Sequence, residues 1–322
     1  MARKGPEDRT ARFDREHVIR VLTFWLRPAF ALRVVNRFQK TVGFDRAMSL
    51  ASSGLTALIP LAILLSSFLD RFGQGDLADR IVKRYGLTGG GAEAVRHLFS
   101  FPAADPGTSV LGLLFLLISA LSFSRAAQRL FETAWDLTPL SVRNTKNGLL
   151  WSLSLAAYLV VVGWLHALLG RGRLDLAAVL CQVPVTVLFL LWSGRLLSAR
   201  RIDRWDLAPF TLLAAGASAA YSVAATVYLP RLFSSYATRF GAVGAVFAML
   251  TALFGLMFVL VGSCAVGREV RDEMGRIKRG LRPPDDEVRR QWAELVARMR
   301  EGWQAARMEH LGRRPPGDRG RS

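Results

Sequence analysis

The chain has 322 residues, a formal net charge of +18 and a hydrophobic share of 51%. The basic charge would fit a nucleic-acid-binding protein, but six uncharged runs of 19 to 28 residues interrupt it. Because a soluble helix rarely runs so long without a polar face, and such runs recur six times, the composition excludes an ordinary soluble protein.

The N-terminal segment, residues 1–46, contains eleven Lys and Arg residues before the first uncharged run. It is too long and too highly charged to be a signal peptide. Within it, residues 18–44 interleave apolar side chains with basic ones. This pattern predicts an amphipathic helix that lies in the cytoplasmic interface of a membrane and is broken near Pro28.

The six uncharged runs predict six transmembrane helices. About 20 apolar residues cross the hydrocarbon core of a bilayer, and a helix satisfies its own backbone hydrogen bonds there. The sequence therefore predicts an all-α, polytopic integral membrane protein whose transmembrane domain covers residues 47–267. The predicted spans are 47–69, 106–124, 147–170, 176–194, 207–230 and 240–267.

The distribution of Lys and Arg predicts the topology. Alternate segments between the spans hold 34 basic residues on one side of the membrane and 9 on the other. Basic residues near the ends of spans stay in the cytoplasm, so we expect a multi-pass protein with both termini cytoplasmic. The loops at 70–105, 171–175 and 231–239 are then expected to face outward.

The C-terminal tail, residues 268–322, holds 15 Lys and Arg residues and begins with a dense basic stretch that favours binding to anionic lipid. Further along, Asp285 or Asp286 can cap an amphipathic helix. The apolar face of that helix comprises Val288, Trp292, Leu295, Met299 and Trp303. The helix either folds back as a solvated tail or offers a docking face to a partner helix. The chain from Gly312 onward is expected to be disordered.

No arrangement of side chains predicts an enzyme. The four histidines lie in four different segments, without a second ligand at the spacing of a metal site. Cys181 and Cys264 both fall inside spans, where we expect them to pack as small apolar residues. The Gly-rich stretch at 87–93 lacks the Lys-Ser/Thr of a phosphate-binding loop and is expected to be a hinge. We therefore expect no catalytic residue, no cofactor and no metal ion.

Two prolines lie near the middle of predicted spans. Pro60 is the fourteenth of 23 residues in span one, and Pro184 is the ninth of 19 in span four. Paired breaks in two halves of opposite orientation would mark an inverted repeat with a central site, and the alternative is that two prolines coincide by chance. Gln182, within one turn of Pro184, is the polar side chain expected to contact a substrate. Pro60, Gln182 and Pro184 form the candidate transport path.

Small residues recur every three or four positions in span six, which predicts a smooth face for close helix packing. They are Gly241, Gly244, Ala245, Ala248, Ala252, Gly255 and Gly262. Span five offers Ala215, Ala219 and Val223 as a matching ridge. The sequence therefore predicts a hairpin of spans five and six across the short loop at 231–239.

Three stretches resemble the YihY/BrkB family of bacterial inner-membrane proteins. The family's last span resembles SSYATRFGAVGAVFAML, its first span MSLASSGLTALIPLAILLSSFL, and the segment after its second span SFSRAAQRLFETAW. The resemblance implies a six-helix protein of the bacterial cytoplasmic membrane. Members of this family have been proposed to export envelope lipids or other solutes, and older naming attached them to a ribonuclease.

The sequence departs from the family pattern at some polar positions. Near the end of the final span, where the family tends to carry Gly-Ala-Glu, this chain has Gly262, Ser263 and Cys264. After span two, Glu132 stands in place of the family's Asn and Trp135 in place of its Tyr. If these positions carry activity in relatives, this chain is a divergent member.

Three functions from different classes follow. The first is a transporter or flippase for an envelope lipid or amphipathic solute, with Arg125, Arg129 and Arg143 gathering anionic headgroups. The second is a non-transporting membrane scaffold for envelope machinery. The third is a membrane-associated nuclease, for which the ionic attraction of the tail supplies no catalytic group. The expected partners are membrane lipids, especially anionic headgroups, together with a second copy of the chain or an envelope protein, and no specific nucleic acid.

Overall fold

The computed structural model describes residues 28–71, 106–140, 144–169, 175–280 and 287–312, with isolated positions at 79, 82, 89, 92, 93 and 96. All regular secondary structure in these ranges is helical, and no strand occurs there. The all-α class predicted from the uncharged runs is therefore confirmed for the described part of the chain.

The described residues form eight helices. The first five are α1 Pro28–Lys40, α2 Gly43–Arg71, α3 Pro106–Ala134, α4 Thr145–Leu169 and α5 Asp175–Leu197. A long helical run then covers Arg204–Lys278 and contains one non-helical residue, Gly241, at φ 58° and ψ −138°. It consists of α6 Arg204–Gly241 and α7 Val243–Lys278. The last helix is α8 Glu287–Gly312.

Five helical segments are long and apolar enough to cross a membrane, and they coincide with predicted spans two to six. They are Gly112–Ala134, Thr145–His166, Ala177–Leu197, Arg204–Gly241 and Val243–Lys278. Predicted span one falls in α2, whose side chains from residue 59 onward lie outside the described part. The structure thus contains five candidate spans in its described residues, rather than the six expected from the sequence.

These helices expose large apolar side chains. Leu153, Val160 and Leu188 are each at least 67% exposed, although they lie in the middle of α4 and α5. Soluble proteins rarely expose contiguous apolar surface on this scale, whereas helices in a bilayer present such surface to lipid. The exposure therefore agrees with a multi-pass membrane protein.

The chain divides into two compact units. The central unit comprises residues 41–272, and the terminal unit comprises residues 1–40 and 273–322. In the central unit α3 packs against α2, α4 and α5, and α4 also packs against α5. Glycine allows one close approach, because a Cβ on Gly194 of α5 would lie 3.3 Å from the ring of Phe131 on α3.

Helices α6 and α7 of the central unit form an antiparallel hairpin. Near its turn, Gly244 lies against Tyr236, and midway along it the Tyr221 hydroxyl donates a hydrogen bond of 2.5 Å to the Ala252 carbonyl. At its far end, Gly267 lies against Phe210. The pairing of early residues of α6 with late residues of α7 agrees with the hairpin expected for spans five and six.

The turn of this hairpin lies later than the sequence indicated. Residues 231–239, predicted as a loop, continue helix α6, and the chain turns at Gly241. Pro230 costs the helix one hydrogen bond without ending it, and the side chains of Arg231 and Arg239 are exposed. The positive φ of Gly241 belongs to a backbone region that residues with a Cβ rarely adopt, which explains the position of the turn.

In the terminal unit, α1 packs against α8. The side-chain amide of Asn36 donates to Gln291 Oε1 at 3.2 Å and to Glu294 Oε2 at 3.1 Å, and Arg298 donates to the Asn36 carbonyl at 3.3 Å. Pro28 is the first described residue of α1. The remainder of the predicted interfacial helix, residues 18–27, lies outside the described part.

Candidate functional site

The interface of α4 and α5 carries polar side chains between two otherwise apolar helices. The indole N–H of Trp192 donates to Ser154 Oγ at 3.1 Å, and the Tyr158 hydroxyl lies 2.9 Å from Thr186 Oγ1. Thr186 Oγ1 donates to the Gln182 carbonyl at 2.9 Å, so Tyr158 is the donor to Thr186. We call these five residues the α4–α5 seam.

Gln182 carries a buried acceptor at the seam. It lies one helical turn from Thr186 on α5, and its Oε1 atom is buried without a hydrogen-bond partner in the described part of the chain. An unsatisfied amide in an apolar environment costs about 1–3 kcal/mol by mutational measures. A native helix pair retains such a group most readily where a ligand or water molecule visits it.

His166 carries a second such atom, two turns beyond Tyr158 on α4. Its Nδ1 atom lies 2.9 Å from the Val162 carbonyl, and because a carbonyl only accepts, Nδ1 carries the hydrogen. The Nε2 atom is buried and has no partner among the described residues. Each of the two helices also holds one more buried polar atom without a described partner, Trp151 Nε1 on α4 and Ser193 Oγ on α5.

The structure describes the side chains of two of the three candidate path residues, Gln182 and Pro184. Pro184 lies inside α5 with an exposed ring, whereas Gln182 is half-buried. Because Pro184 lacks an N–H group, the carbonyl of Leu180 receives no helical hydrogen bond from it. Pro60 lies in α2, and its side chain is outside the described residues. Along this part of the candidate path, the polar groups in the described residues are therefore the Gln182 side chain and the neighbouring Leu180 carbonyl.

A second polar cluster joins the ends of α3 and α5 to the start of α4. The carboxylate of Glu132, only 5% exposed, accepts hydrogen bonds of 2.8 Å from Gln128 Nε2 and from the Leu140 backbone N–H. The guanidinium of Arg201 lies 3.6 Å from the same carboxylate. Asn144 donates to Gln128 Oε1 at 3.1 Å and completes what we call the Glu132 cluster.

The Glu132 cluster stabilises the connection between α3 and α4. Its arginine, Arg201, also donates to the Thr138 carbonyl at 2.7 Å, and Asn147 donates to Asn144 Oδ1 at 2.6 Å. The buried carboxylate is hydrogen-bonded on several sides, so the cluster fixes the connection between α3 and α4. In the sequence, Glu132 stood out only as a departure from the family pattern. The four-residue spacing of Gln128 and Glu132 on one helix face was the available signal.

The arginines expected to contact anionic headgroups lie close to this cluster in sequence. Arg125 and Arg129 are one turn apart on α3, and both side chains are exposed. Arg143 lies outside the described residues. The exposed pair is therefore placed where an anionic group can reach it from outside the helix bundle.

The small residues of α7 lie in two different environments. Gly244, Ala245 and Ala248 are buried in the hairpin, Ala252 packs against the same core, and a Cβ on Gly255 would lie 2.8 Å from the Tyr221 hydroxyl. These five residues form the close-packed face of α7. Two other glycines of the predicted face, Gly241 and Gly262, have no atom within 4 Å of a built Cβ.

Two features of the hairpin were missing from the sequence analysis. A Cβ on Gly267 would collide with the Phe210 Cα atom, and backbone at that position cannot move aside. On α6, the core is formed by Ala225, Leu229 and Phe233, whereas Val223 of the predicted ridge is exposed. Spacing of small residues thus indicated the hairpin but not the registration of its two faces.

The first basic residues after the last apolar run, Arg268 and Arg271, are paired with carboxylates. Arg271 binds Asp206 through two hydrogen bonds, of 2.5 and 2.9 Å, and Arg268 lies 3.5 Å from Asp272. The sequence suggested that the density of these arginines favours anionic lipid. The ion pairs neutralise part of that charge inside the protein, so less of it remains for lipid than the count of arginines indicated.

No group of three or more His, Cys, Asp or Glu side chains in the described residues could hold a metal ion. Cys181 is exposed and Cys264 is buried, and both are free thiols.

Comparison with known families gives one match. A family model described as Virulence factor BrkB matches residues 34–284, which is more than half of the chain and includes helices α2 to α7. No curated protein and no solved structure matches the chain. The matched region contains the seam, the Glu132 cluster and the α6–α7 hairpin. The apolar helices and the family match together show that this chain is a membrane protein of the BrkB family.

Proposed function

We propose that this protein is a transporter or flippase that moves an envelope lipid or amphipathic solute across the bacterial cytoplasmic membrane. The observation that carries the proposal is the buried, unpartnered Oε1 atom of Gln182 in the α4–α5 seam. In hydrocarbon such an atom finds no water, so it favours a passing group that donates a hydrogen bond. A hydroxyl, amine or amide of a substrate headgroup supplies that donor.

The other seam residues, together with His166, support a path rather than a single point. Between Ser154 and His166 the polar side chains of α4 extend over about 18 Å at 1.5 Å per residue. That length is more than half of the roughly 30 Å hydrocarbon core. Two of the steps are already hydrogen-bonded pairs, Ser154 with Trp192 and Tyr158 with Thr186. A headgroup that replaces one partner in either hydrogen-bonded pair keeps a polar group within hydrogen-bonding distance as it moves.

The distribution of charge supports a direction for the membrane insertion. With 34 of 43 Lys and Arg residues in alternate segments, the positive-inside rule favours cytoplasmic termini. Arg125 and Arg129 then lie on the cytoplasmic side, where they gather anionic headgroups before transfer. Membrane lipids are accordingly the partners that we propose, and the proposed activity involves no enzymatic step.

Reconstitution tests the proposal against the scaffold alternative. Purified protein is incorporated into vesicles with fluorescent anionic or neutral lipids, and a membrane-impermeant reductant bleaches the labels in the outer leaflet. We expect protein-dependent loss of the protected fraction, both for the full chain and after deletion of residues 276–322. Correctly inserted, folded protein that moves no lipid would contradict lipid transport. A cellular function that disappears with residues 276–322 alone would favour the scaffold.

A further inference from the structure

Helix α8 presents an apolar stripe to its surroundings. Trp292, Met299 and Trp303 are 54%, 44% and 79% exposed. They are spaced by seven and four residues, so they lie on one face of the helix. Exposed tryptophan is costly in water, and two indoles on one stripe call for a covering partner.

A neighbouring side of α8 is already occupied. Gln291, Glu294 and Arg298 contact Asn36 of α1, and Leu295, which lies between these residues and the stripe, is 8% exposed. These contacts fix the rotation of α8 about its own axis within the terminal unit. The apolar stripe therefore lies beside the side that contacts α1, and its residues Trp292, Met299 and Trp303 remain exposed because the rotation of the helix is fixed.

Basic side chains border the stripe. Arg289 lies three residues before Trp292, and Arg300 lies three residues before Trp303, so each is a neighbour on the helix surface. Both arginines are exposed. Indole rings concentrate at the interface between headgroups and acyl chains, and arginine pairs with lipid phosphate. A helix with this combination has the composition of an element lying in the plane of an anionic membrane.

We propose that the stripe of α8 binds the surface of an anionic phospholipid bilayer. Trp292, Met299 and Trp303 insert at the level of the headgroups and upper acyl chains, and Arg289 and Arg300 bind lipid phosphates. Because the chain belongs to a family of membrane proteins, a bilayer surface is always available to this helix. The inference concerns the terminal unit and holds whether or not the central unit transports lipid.

The test places a fluorescent label on the stripe of the full-length protein in vesicles. A bimane is attached to Met299→Cys in a Cys181→Ala background, since Cys181 is exposed and Cys264 is buried. The matched control carries the label at Glu301→Cys, an exposed position on a different face. Quenching is measured with aqueous iodide and with lipids that carry a nitroxide near the headgroup, in phosphatidylcholine vesicles with and without phosphatidylglycerol.

We expect the label at 299 to be quenched several-fold more by nitroxide lipid than the label at 301, and to be shielded from iodide. Adding phosphatidylglycerol increases this difference, and the Arg289→Gln, Arg300→Gln variant loses the increase. Replacing both Trp292 and Trp303 with Gln restores iodide access. Equal iodide quenching at 299 and 301 in both vesicles would overturn the proposal. Shielding of position 299 from both quenchers would also overturn it, because protein would then cover the stripe.

Discussion

Asp206 and Arg271 form a two-bonded ion pair that joins the first turn of α6 to the last turns of α7, 65 residues later. The pair closes the open end of the α6–α7 hairpin, opposite the turn at Gly241. Arg271 also lies 3.4 Å from Asp272. The two long helices are therefore joined at both ends of the hairpin. The turn at Gly241 joins them at one end, and the Asp206–Arg271 ion pair joins them at the other.

The Asp206–Arg271 ion pair gives the first prediction. Asp206→Asn and Arg271→Gln each lower stability, and a double-mutant cycle gives a coupling of about 1 kcal/mol, since both side chains are partly exposed and solvent screens them. The free energy of unfolding is measured by titration with SDS in mixed micelles. Arg204→Gln, an exposed charge in the same turn, is the control and leaves stability unchanged. Additive effects at 206 and 271 would show that the contact does not stabilise the hairpin.

Two glycines of α7 give a second prediction. Gly267→Ala forces a Cβ against the backbone of Phe210 and destabilises the protein by about 1–3 kcal/mol through overpacking. Gly262→Ala, five residues earlier in the same helix, meets open space and is neutral or stabilises by up to about 1 kcal/mol through helix propensity. Thermal unfolding of the two variants in the same detergent measures the difference in Tm between them. Equal Tm values for the two variants would contradict the packing described here.

The Glu132 cluster gives a third prediction. Glu132→Leu leaves the Leu140 N–H and the side chain of Gln128 without an acceptor, and we expect a loss of about 2–3 kcal/mol. Glu132→Gln keeps an acceptor oxygen for the backbone N–H and loses less. SDS titration of both variants, with Glu301→Gln as an exposed control, measures the difference. Equal stability of the Leu and Gln variants would show that these hydrogen bonds do not hold the α3–α4 connection.

The terminal unit gives a fourth prediction. Arg33 and Glu273 form an ion pair of 2.7 Å and are only 6% and 1% exposed. Arg33→Leu removes a partner from a buried carboxylate and destabilises the unit by about 3 kcal/mol. Arg276→Gln removes the more exposed partner of the same carboxylate and costs less. Limited proteolysis within α8 measures the opening of the unit, and equal cleavage of the two variants would contradict the prediction.

The helices were predictable because their signal is local. An uncharged run of 19 or more residues specifies a spanning helix without knowledge of its neighbours. The turn at Gly241 was not predictable, because Pro230, Arg231 and Arg239 resemble a loop. The burial of Phe233 and Ala237 in the hairpin core is visible only in the structure. The number of spans in the described part also remained one below the prediction, since the side chains of α2 are described only in part.

The candidate site was predictable only in fragments. Gln182 stood out as a polar residue in an apolar run, and its unpartnered amide oxygen required the structure. Its neighbours on the seam, Tyr158 and Thr186, belong to common residue types whose meeting depends on the registration of α4 against α5. Periodicity likewise selected Gly262 and missed Gly267, because spacing along a helix does not reveal which face a neighbour occupies.

The central claim is that the α4–α5 seam guides a substrate headgroup past Gln182. The decisive measurement is the rate of transbilayer movement of labelled lipids in vesicles containing Gln182→Leu or Cys181→Leu protein. The second variant is the matched control, because Cys181 is the preceding residue of α5 and its side chain is exposed.

We expect Cys181→Leu to move lipid at the rate of the unaltered protein. Gln182→Leu is expected to be about tenfold slower, the ratio that one lost hydrogen bond of about 1.4 kcal/mol produces. Both variants must be equally inserted and equally stable for the comparison. Equal rates for the two variants, both matching the unaltered protein, would contradict a path along the seam.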